Sequence, residues 1–226
     1  MVRIELKLFL LAWLNAFAIF LPAQQFKFLP VFGKEQLLQG NSYAVSGDTV
    51  SVTNWRFFIS NVELRSHGKT IWKETNSYHL IDIAVPESLQ LRLSAPKEAN
   101  YDQLFFNVGI DSITNVSGVF GGDLDPTKGM YWTWQSGYIN FKIEGSCRQC
   151  VPAKEYEFHL GGYLPPFATL TAVLLSISKP NDVIQINAKN FLEDIRLSET
   201  NKVMSPGSNA VRLSKKIPAC FKTEMP

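Results

Sequence analysis

The chain has 226 residues, of which 46% are hydrophobic and 19% charged, and this length suits one large domain or two small ones. Its formal net charge is +2, from 22 basic and 20 acidic residues that are scattered rather than clustered. Because the basic residues form no patch and the aromatic residues alternate with aliphatic ones, the sequence excludes a nucleic-acid-binding protein. It contains no repeat, no low-complexity tract and no linker, so a single core is the simpler interpretation.

The first 23 residues have the pattern of a secretory signal peptide. Arg3 and Lys7 precede an apolar stretch over residues 8–21, and a helix-breaking proline follows it. The apolar stretch is shorter than the ~20 residues that a transmembrane helix needs, and no later segment is long and apolar enough. We predict cleavage after Ala23, with cleavage after Ala18 as the alternative.

Cleavage after Ala23 predicts an exported protein, periplasmic or extracellular, in which residues 24–226 form a single domain without a membrane span. The removed segment contains two of the basic and one of the acidic residues, so the mature chain is nearly neutral. We expect such a protein to have a small molecule or another protein as its partner.

Apolar residues recur with a period of two in eight segments of the mature chain, and this period predicts β-strands. The segments are Val50 to Val52, Phe57 to Leu64, Leu89 to Leu93, Leu104 to Ile110, Tyr138 to Ile143, Tyr156 to Leu160, Leu170 to Ile177 and Val183 to Ile186. Turn-forming residues separate them, and only residues 188–195 and 214–221 favour short helices. We therefore predict an all-β fold, an antiparallel β-sandwich with long irregular loops and one or two short helices.

Residues 121–145 form the most informative segment, in which a turn rich in glycine and aspartate leads into Tyr131, Trp132 and Trp134. If Trp132 and Trp134 lie in a strand, their side chains point to the same face. The tryptophans can be core residues, a stacking platform for sugars or other flat ligands, or redox-active residues beside a metal. The sequence alone does not choose among these three roles.

Motifs that carry enzymatic chemistry are absent from the sequence. It contains neither G-x-S-x-G, nor H-E-x-x-H, nor a Walker loop, so we predict that the protein is not an enzyme. Asp123 and Asp125 resemble part of a calcium loop but lack the further acidic ligands of an EF-hand. We predict a turn in which these aspartates cap backbone amides.

Three cysteines follow the signal peptide, and export places them where disulfides persist. Cys147 and Cys150 have the C-x-x-C spacing of redox proteins, but they lie in a polar loop rather than before a helix. A structural disulfide is the favoured interpretation. It can form within the loop or join one of these two residues to Cys220.

The three histidines differ in their sequence context. His67 lies in a polar turn, where a solvated side chain is expected, whereas His79 and His159 have apolar neighbours in strand-like segments. An isolated strand histidine is usually accommodated in a core by one or two hydrogen bonds. Two neutral imidazoles with a third weak donor can instead hold Cu(I).

Six separated motifs occur in order along the mature chain. They are WRFFISNVEL at residues 55–64, SYHLID at 77–82, VGID at 108–111, DLDP at 123–126, GMYWTWQSGY at 129–138 and FHLGG at 158–162. Together they resemble the MbnP-like proteins, in the version common in Bacteroidota, over about residues 26–221. The resemblance implies an exported β-sandwich of the MbnP, MopE and CorA group, whose best-known members bind copper through two histidines and the amine of a kynurenine, which is an oxidised tryptophan.

Carried over by motif, the resemblance implies that His79 and His159 bind Cu(I), with Trp132 or Trp134 as the oxidised residue; Trp55 and Trp72 are alternatives. It also implies a dihaem partner enzyme of the MauG and cytochrome c peroxidase type. The alternative function is an exported binding or scaffold module without a metal, in which the tryptophans pack in the core or stack on a ligand.

Overall fold

The computed structural model describes residues 24–96, 99–178 and 182–223. The predicted signal peptide lies outside the described residues. None of the helices in the described part of the chain is long and apolar enough to cross a membrane.

The described residues contain sixteen strands. They are β1 (Gln24–Phe32), β2 (Glu35–Gln36), β3 (Ser42–Val45), β4 (Asp48–Ser51), β5 (Asn54–Ser66), β6 (Lys69–Lys73), β7 (Tyr78–Asp82), β8 (Gln90–Leu93), β9 (Gln103–Val108), β10 (Tyr131–Trp132), β11 (Gly137–Ser146), β12 (Glu155–Gly161), β13 (Thr171–Ser176), β14 (Val183–Asn187), β15 (Lys202–Val203) and β16 (Phe221–Thr223). All eight segments of alternating apolar residues contain a strand, whereas they do not include β1, β2, β3, β6, β7, β10, β15 or β16.

Helices are short and few in the described residues. The α-helices are α1 (Ser112–Val116), α2 (Ala188–Leu192) and α3 (Ser208–Ser214), and the 3-10 helices are Pro86–Leu89, Gly122–Leu124, Pro126–Lys128 and Ile217–Cys220. The predicted helix at residues 188–195 is confirmed in its first part. The second prediction is shifted, because the α-helix ends at Ser214 and only a 3-10 turn follows.

Two sheets pack face to face, which confirms the predicted β-sandwich. One sheet contains β1, β2, β8, β14 and β16, and the larger one contains β5 to β7, β9 to β13 and β15. Strand pairing is antiparallel except that β1 pairs with β14, and β12 with β15, in parallel. Aromatic rings join the sheets, since Phe28 of β1 contacts Phe57 of β5 and Phe106 of β9 edge to face.

A second, smaller apolar cluster covers the opposite, outer face of the larger sheet. It buries Phe58, Leu80, Ile110, Trp132 and Tyr138 beneath the chain that runs from α1 to β10. Consecutive residues of β5 therefore enter different clusters, because neighbouring strand residues point to opposite faces. This arrangement explains why paired phenylalanines interrupt the alternating pattern of β5.

Asp111 anchors the segment that covers this outer face. It caps α1 by accepting a hydrogen bond from the backbone N–H of Thr114, and it also accepts one from the Tyr78 hydroxyl of β7. Burial raises the pKa of Asp111, but these hydrogen bonds outweigh it, so the net pKa lies below the usual value. The ionised carboxylate thus ties the covering segment to the sheet.

We expect Asp111→Asn to lower stability at neutral pH and to have less effect in acid. A carboxyl group whose pKa is lower in the folded than in the unfolded chain stabilises the fold at pH values above its unfolded pKa, about 3.9. This contribution is lost as the pH falls through the pKa of the folded chain. Urea midpoints of both proteins at about pH 7 and about pH 3 measure the difference. A difference that is equal at both pH values would contradict this role, and Glu35→Gln, at an exposed carboxyl of β2, is the control.

The cysteines form one disulfide, between Cys147 and Cys150 within the loop, and Cys220 is a buried free thiol. Both bridged residues are buried, at 1% and 0% exposure, so the sulfur atoms are shielded from a thiol in solution. Burial also raises the pKa of the Cys220 thiol to about 12, which keeps it protonated and unreactive. The structural interpretation of the C-x-x-C motif therefore agrees with this arrangement.

Candidate functional site

A row of polar side chains crosses the outer face of the larger sheet. The strand register pairs His159 of β12 with Lys142 of β11, Lys142 with Arg56 of β5, and Arg56 with Asp82 of β7. Side chains at directly paired positions lie on the same face of a sheet, so these four residues share the outer face. Arg56 and Asp82 form an ion pair with 2.8 Å between Nε and Oδ2.

His159 is held by a carboxylate on the neighbouring strand. Its Nε2 lies 2.5 Å from Oε1 of Glu144, and Asn54 donates a hydrogen bond to the other carboxylate oxygen. The hydrogen bond from His159 lowers the pKa of Glu144 to about 2, against the opposing effect of burial, with further lowering by Asn54 and Lys142. Glu144 is therefore ionised at neutral pH and orients the imidazole.

The second ring nitrogen of His159, Nδ1, has no hydrogen-bond partner among the residues that the structure describes. Metal-binding histidines commonly donate their other ring N–H to a carboxylate, which fixes the tautomer that leaves one nitrogen basic. With Nε2–H donated to Glu144, Nδ1 is the nitrogen that can bind a ligand. The pair thus has the chemistry of a carboxylate-oriented metal ligand.

His79 lies on the opposite face of the same sheet. It pairs with Ile59 of β5, which belongs to the inner core. Ile59 lies three positions after Arg56, and strand residues an odd number of positions apart point to opposite faces of the sheet. The strands of His79 and His159 are separated by β5 and β11, which places them three strand spacings apart, roughly 14 Å. The structure therefore does not bring the two predicted histidine ligands together.

His79 has its own carboxylate partner, since its Nε2 lies 2.7 Å from Oε2 of Glu74. No group of three or more histidine, cysteine, aspartate or glutamate side chains in the described ranges is placed to hold a metal ion. A site in which His79 and His159 share one Cu(I) does not fit this donor arrangement, because one ion needs its nitrogen ligands at about 2 Å.

Trp132 lies on the same face as His159 and packs over Gly161. Gly161, two positions after His159 in β12, leaves the space that the indole fills: a Cβ at Gly161 would lie 2.5 Å from Cζ3 of Trp132. Residues two apart in a strand point to the same face. Trp132 is 6% exposed and belongs to the apolar cluster on the outer face, so its ring packs on the face that His159 shares.

Trp134 is not in a strand. The two tryptophans would point to the same face only if both lay in one strand, so that expectation does not apply. Strand β10 ends at Trp132, and residues 133–136 form a turn in which Ser136 has φ of 51°. Trp134 is 66% exposed and its ring centroid lies 5.8 Å from that of Trp132. Because the strand ends between the two tryptophans, Trp132 packs against the sheet and Trp134 projects into solvent.

The two alternative tryptophans lie away from this face. Trp55 pairs with Ile143 and is fully buried in the inner core, where its indole Nε1 has no hydrogen-bond partner among the described residues. Trp72 pairs with Leu64 near the far end of β5. Neither position places an indole beside His159.

The remaining candidates are structural. The His67 side chain is 92% exposed in its turn. Asp123 accepts a hydrogen bond from the backbone N–H of Leu80, and Asp125 accepts one from that of Thr127, as expected for amide-capping aspartates. Sequence reasoning missed Glu74 and Glu144, and only the strand register shows that Glu144 lies on the same face as His159.

The comparisons with known proteins identify the family. The MbnP family model matches residues 22–205, which is most of the chain. The chain belongs to the MbnP family. A search of curated proteins finds no match to this MbnP-family chain.

Among solved structures, MbnP from Methylosinus trichosporium is similar to this MbnP-family chain, with a TM-score of 0.58 over 81% of each chain. Sequence identity is 16%, so the likeness establishes the shared fold. The family prediction and the β-sandwich prediction are both confirmed.

Proposed function

We propose that the chain is an exported, non-enzymatic copper-binding protein of the MbnP family, with its copper site on the outer face beside His159 and Trp132. The family membership supports the metal, and one observation supports the position: His159 lies on the same sheet face as Trp132, which packs over Gly161 two positions further along the strand, whereas His79 lies on the other face. The sequence pattern of residues 1–23 supports export.

The chain itself supplies one imidazole nitrogen to this site. His159 Nδ1 would bind the ion while Glu144 holds Nε2–H, and a nitrogen donor of this kind suits copper. Oxidation of Trp132 to kynurenine would supply an amine nitrogen next to it. Because Cu(I) is soft and tolerates few ligands, two nitrogen donors are a chemically reasonable minimum.

We expect His159→Ala to abolish Cu(I) binding, as measured by competition with a chromogenic chelator. His79→Ala is the matched control, because that histidine also pairs with a glutamate through Nε2 but lies on the other face. Glu144→Gln keeps the shape of the side chain and removes its charge, and we expect about 10-fold weaker binding. Equal losses in the two alanine variants, or no loss in either, would sink this assignment.

A dihaem enzyme of the MauG and cytochrome c peroxidase type is the proposed partner for the oxidation of tryptophan. The support is the family resemblance together with the exposure of Trp134, whose ring contacts that of the buried Trp132. Conversion to kynurenine exchanges a ring carbon for an oxygen and so changes the intact mass. Co-expression with such an enzyme, followed by peptide mass spectrometry, should locate the change at Trp132; an unchanged mass would count against the partner.

A metal-free binding module is the second candidate function. The observation that favours it is Trp134, a large apolar side chain that is 66% exposed. Tryptophan is enriched at interfaces, because its ring is apolar and its indole N–H can reach a hydrogen-bond partner. Under this function, neither histidine variant changes ligand binding, so the copper competition separates the two candidates.

A further inference from the structure

Strand β13 forms one edge of the larger sheet. It pairs with β9 and with no other strand among the described residues. The N–H of Ile177 continues that register by donating a hydrogen bond to the carbonyl oxygen of Asp102, 2.8 Å away. Because hydrogen-bonded and non-bonded positions alternate in an antiparallel pair, the N–H and C=O groups of Ala172, Leu174 and Ser176 point away from β9. They form a row of backbone donors and acceptors along the edge.

The side chains of the same three residues are exposed. Val173 and Leu175 point into the inner core, whereas Ala172, Leu174 and Ser176 lie on the outer face and are open to solvent. Leu174, at the centre of the row, is 53% exposed. An edge strand that combines outward backbone groups with an exposed apolar side chain is a template for another strand.

The segment that contains β13 carries no charge. Residues 160–178 include no aspartate, glutamate, lysine, arginine or histidine. Proteins commonly protect an edge strand from pairing with a lysine or a proline within the strand. Strand β13 has neither residue, so its sequence does not oppose the approach of a second uncharged strand.

Other edge strands of the larger sheet carry features that block such pairing. On β7, the N–H of Leu80 donates to Oδ2 of Asp123, and the N–H of Asp82 donates to Oγ of Ser88, so side chains already occupy these donors. Strand β6 begins and ends with a lysine, and β15 has only two residues. Strand β13 differs from all three, which singles it out as an edge that can accept a strand.

An antiparallel pair of β13 strands is self-complementary. With Leu174 opposite its own copy, Ala172 lies opposite Ser176 on the outer face and Val173 lies opposite Leu175 on the inner face. Each outward N–H then meets an outward C=O of the other copy. No charged side chains face each other, and both copies of Leu174 lose exposed apolar surface. Because β13 itself supplies all of these matches, a second copy of the chain fits the edge.

We propose that the mature protein forms a twofold symmetric dimer in which two β13 strands pair edge to edge and join the larger sheets into one. A twofold axis perpendicular to the joined sheet places both outer faces on the same side. His159 lies on β12, four strand spacings from β13, so the two copies of His159 are about nine spacings apart, roughly 40 Å. The dimer does not rest on the proposed copper function, although it would present two copies of that site on one surface.

Sedimentation equilibrium of the mature protein over a range of concentrations tests the dimer. We expect the average mass of the wild type to rise toward twice the monomer mass. Leu174→Lys places two like charges opposite each other at the symmetry axis and should keep the protein monomeric. Ile71→Lys is the matched control, at an apolar residue of the edge strand β6 that is 45% exposed, and it should associate like the wild type.

A charge-swap experiment tests the register of the pair. Leu174→Glu alone should also be monomeric, whereas an equimolar mixture of Leu174→Lys and Leu174→Glu should form a dimer, because opposite charges then face each other at the axis. Ala172→Pro removes one outward N–H from each copy and should weaken association about 10-fold.

The proposal is overturned if the wild type stays monomeric at every concentration, if Leu174→Lys associates like the wild type, or if Ile71→Lys loses association to the same extent. It is also overturned if the mixture of the two charged variants stays monomeric. A failure of Cu(I) binding in an intact dimer would overturn only the proposed copper function, and a copper-binding monomer would overturn only the dimer.

Discussion

Replacing Gly145 with alanine is expected to prevent stable folding or to lower the free energy of unfolding by about 3 kcal/mol. A Cβ at this position would lie 1.7 Å from the carbonyl oxygen of Ser51 and 2.8 Å from the Tyr156 hydroxyl, which itself donates a hydrogen bond to that carbonyl. Backbone atoms have no alternative rotamer. Strand β4 would therefore have to move away from β11, which would open the core at this end.

Thermal unfolding followed by circular dichroism measures the effect of Gly145→Ala. For a chain of this size, about 3 kcal/mol corresponds to a fall in Tm of roughly 10 °C. Gly121→Ala is the matched control, because a Cβ at Gly121 meets no atom within 4 Å and its φ is −89°. If both variants melt like the wild type, the close approach of β4 to β11 is not a feature of the folded protein.

Gly161→Ala is expected to displace the Trp132 indole and to weaken the proposed copper site. The new methyl carbon would lie 2.5 Å from Cζ3 of Trp132 and 2.7 Å from the backbone oxygen of Tyr138. Overpacking of this kind costs about 2 kcal/mol. Since the indole is the flexible side of the contact, we expect it to leave the face beside His159 and become more exposed.

Acrylamide quenching of tryptophan fluorescence should report the greater exposure in Gly161→Ala, and chelator competition should report weaker Cu(I) binding. A double variant tests the cause, because Trp132→Leu removes the ring that the methyl group meets. We expect Gly161→Ala to cost less stability in the Trp132→Leu background than in the wild type. Equal costs in both backgrounds would show that Trp132 is not the group displaced.

The sandwich could be predicted from the sequence because alternation of apolar residues depends on one local fact, the opposite orientation of neighbouring strand residues. The segments at Leu104 and Tyr156 alternate in this way, and both contain a strand. Strand β1 was not predicted because its pattern is irregular, with Pro30 in an otherwise apolar run. Its place in the smaller sheet depends on pairing with β14, more than 150 residues later.

The candidate site was predicted only in part. His159 and Trp132 were named from the sequence, and the structure places them on the same face of the larger sheet. Pairing His79 with His159 required knowledge of which strands are neighbours and in what register. A shift of one residue moves a side chain to the other face of a sheet, so spacing along the chain could not decide whether the two rings meet.

The sequence by itself determined the β-sandwich, the family and the importance of residues 121–145, because each follows from a local pattern or from an ordered set of motifs. Only the tertiary structure decided where individual residues of that segment lie. Trp132 packs on the face that His159 shares because Gly161 leaves room for the ring, and Trp134 projects into solvent because the turn begins immediately after Trp132. Both outcomes depend on contacts between strands that are distant in the sequence, which local patterns do not encode.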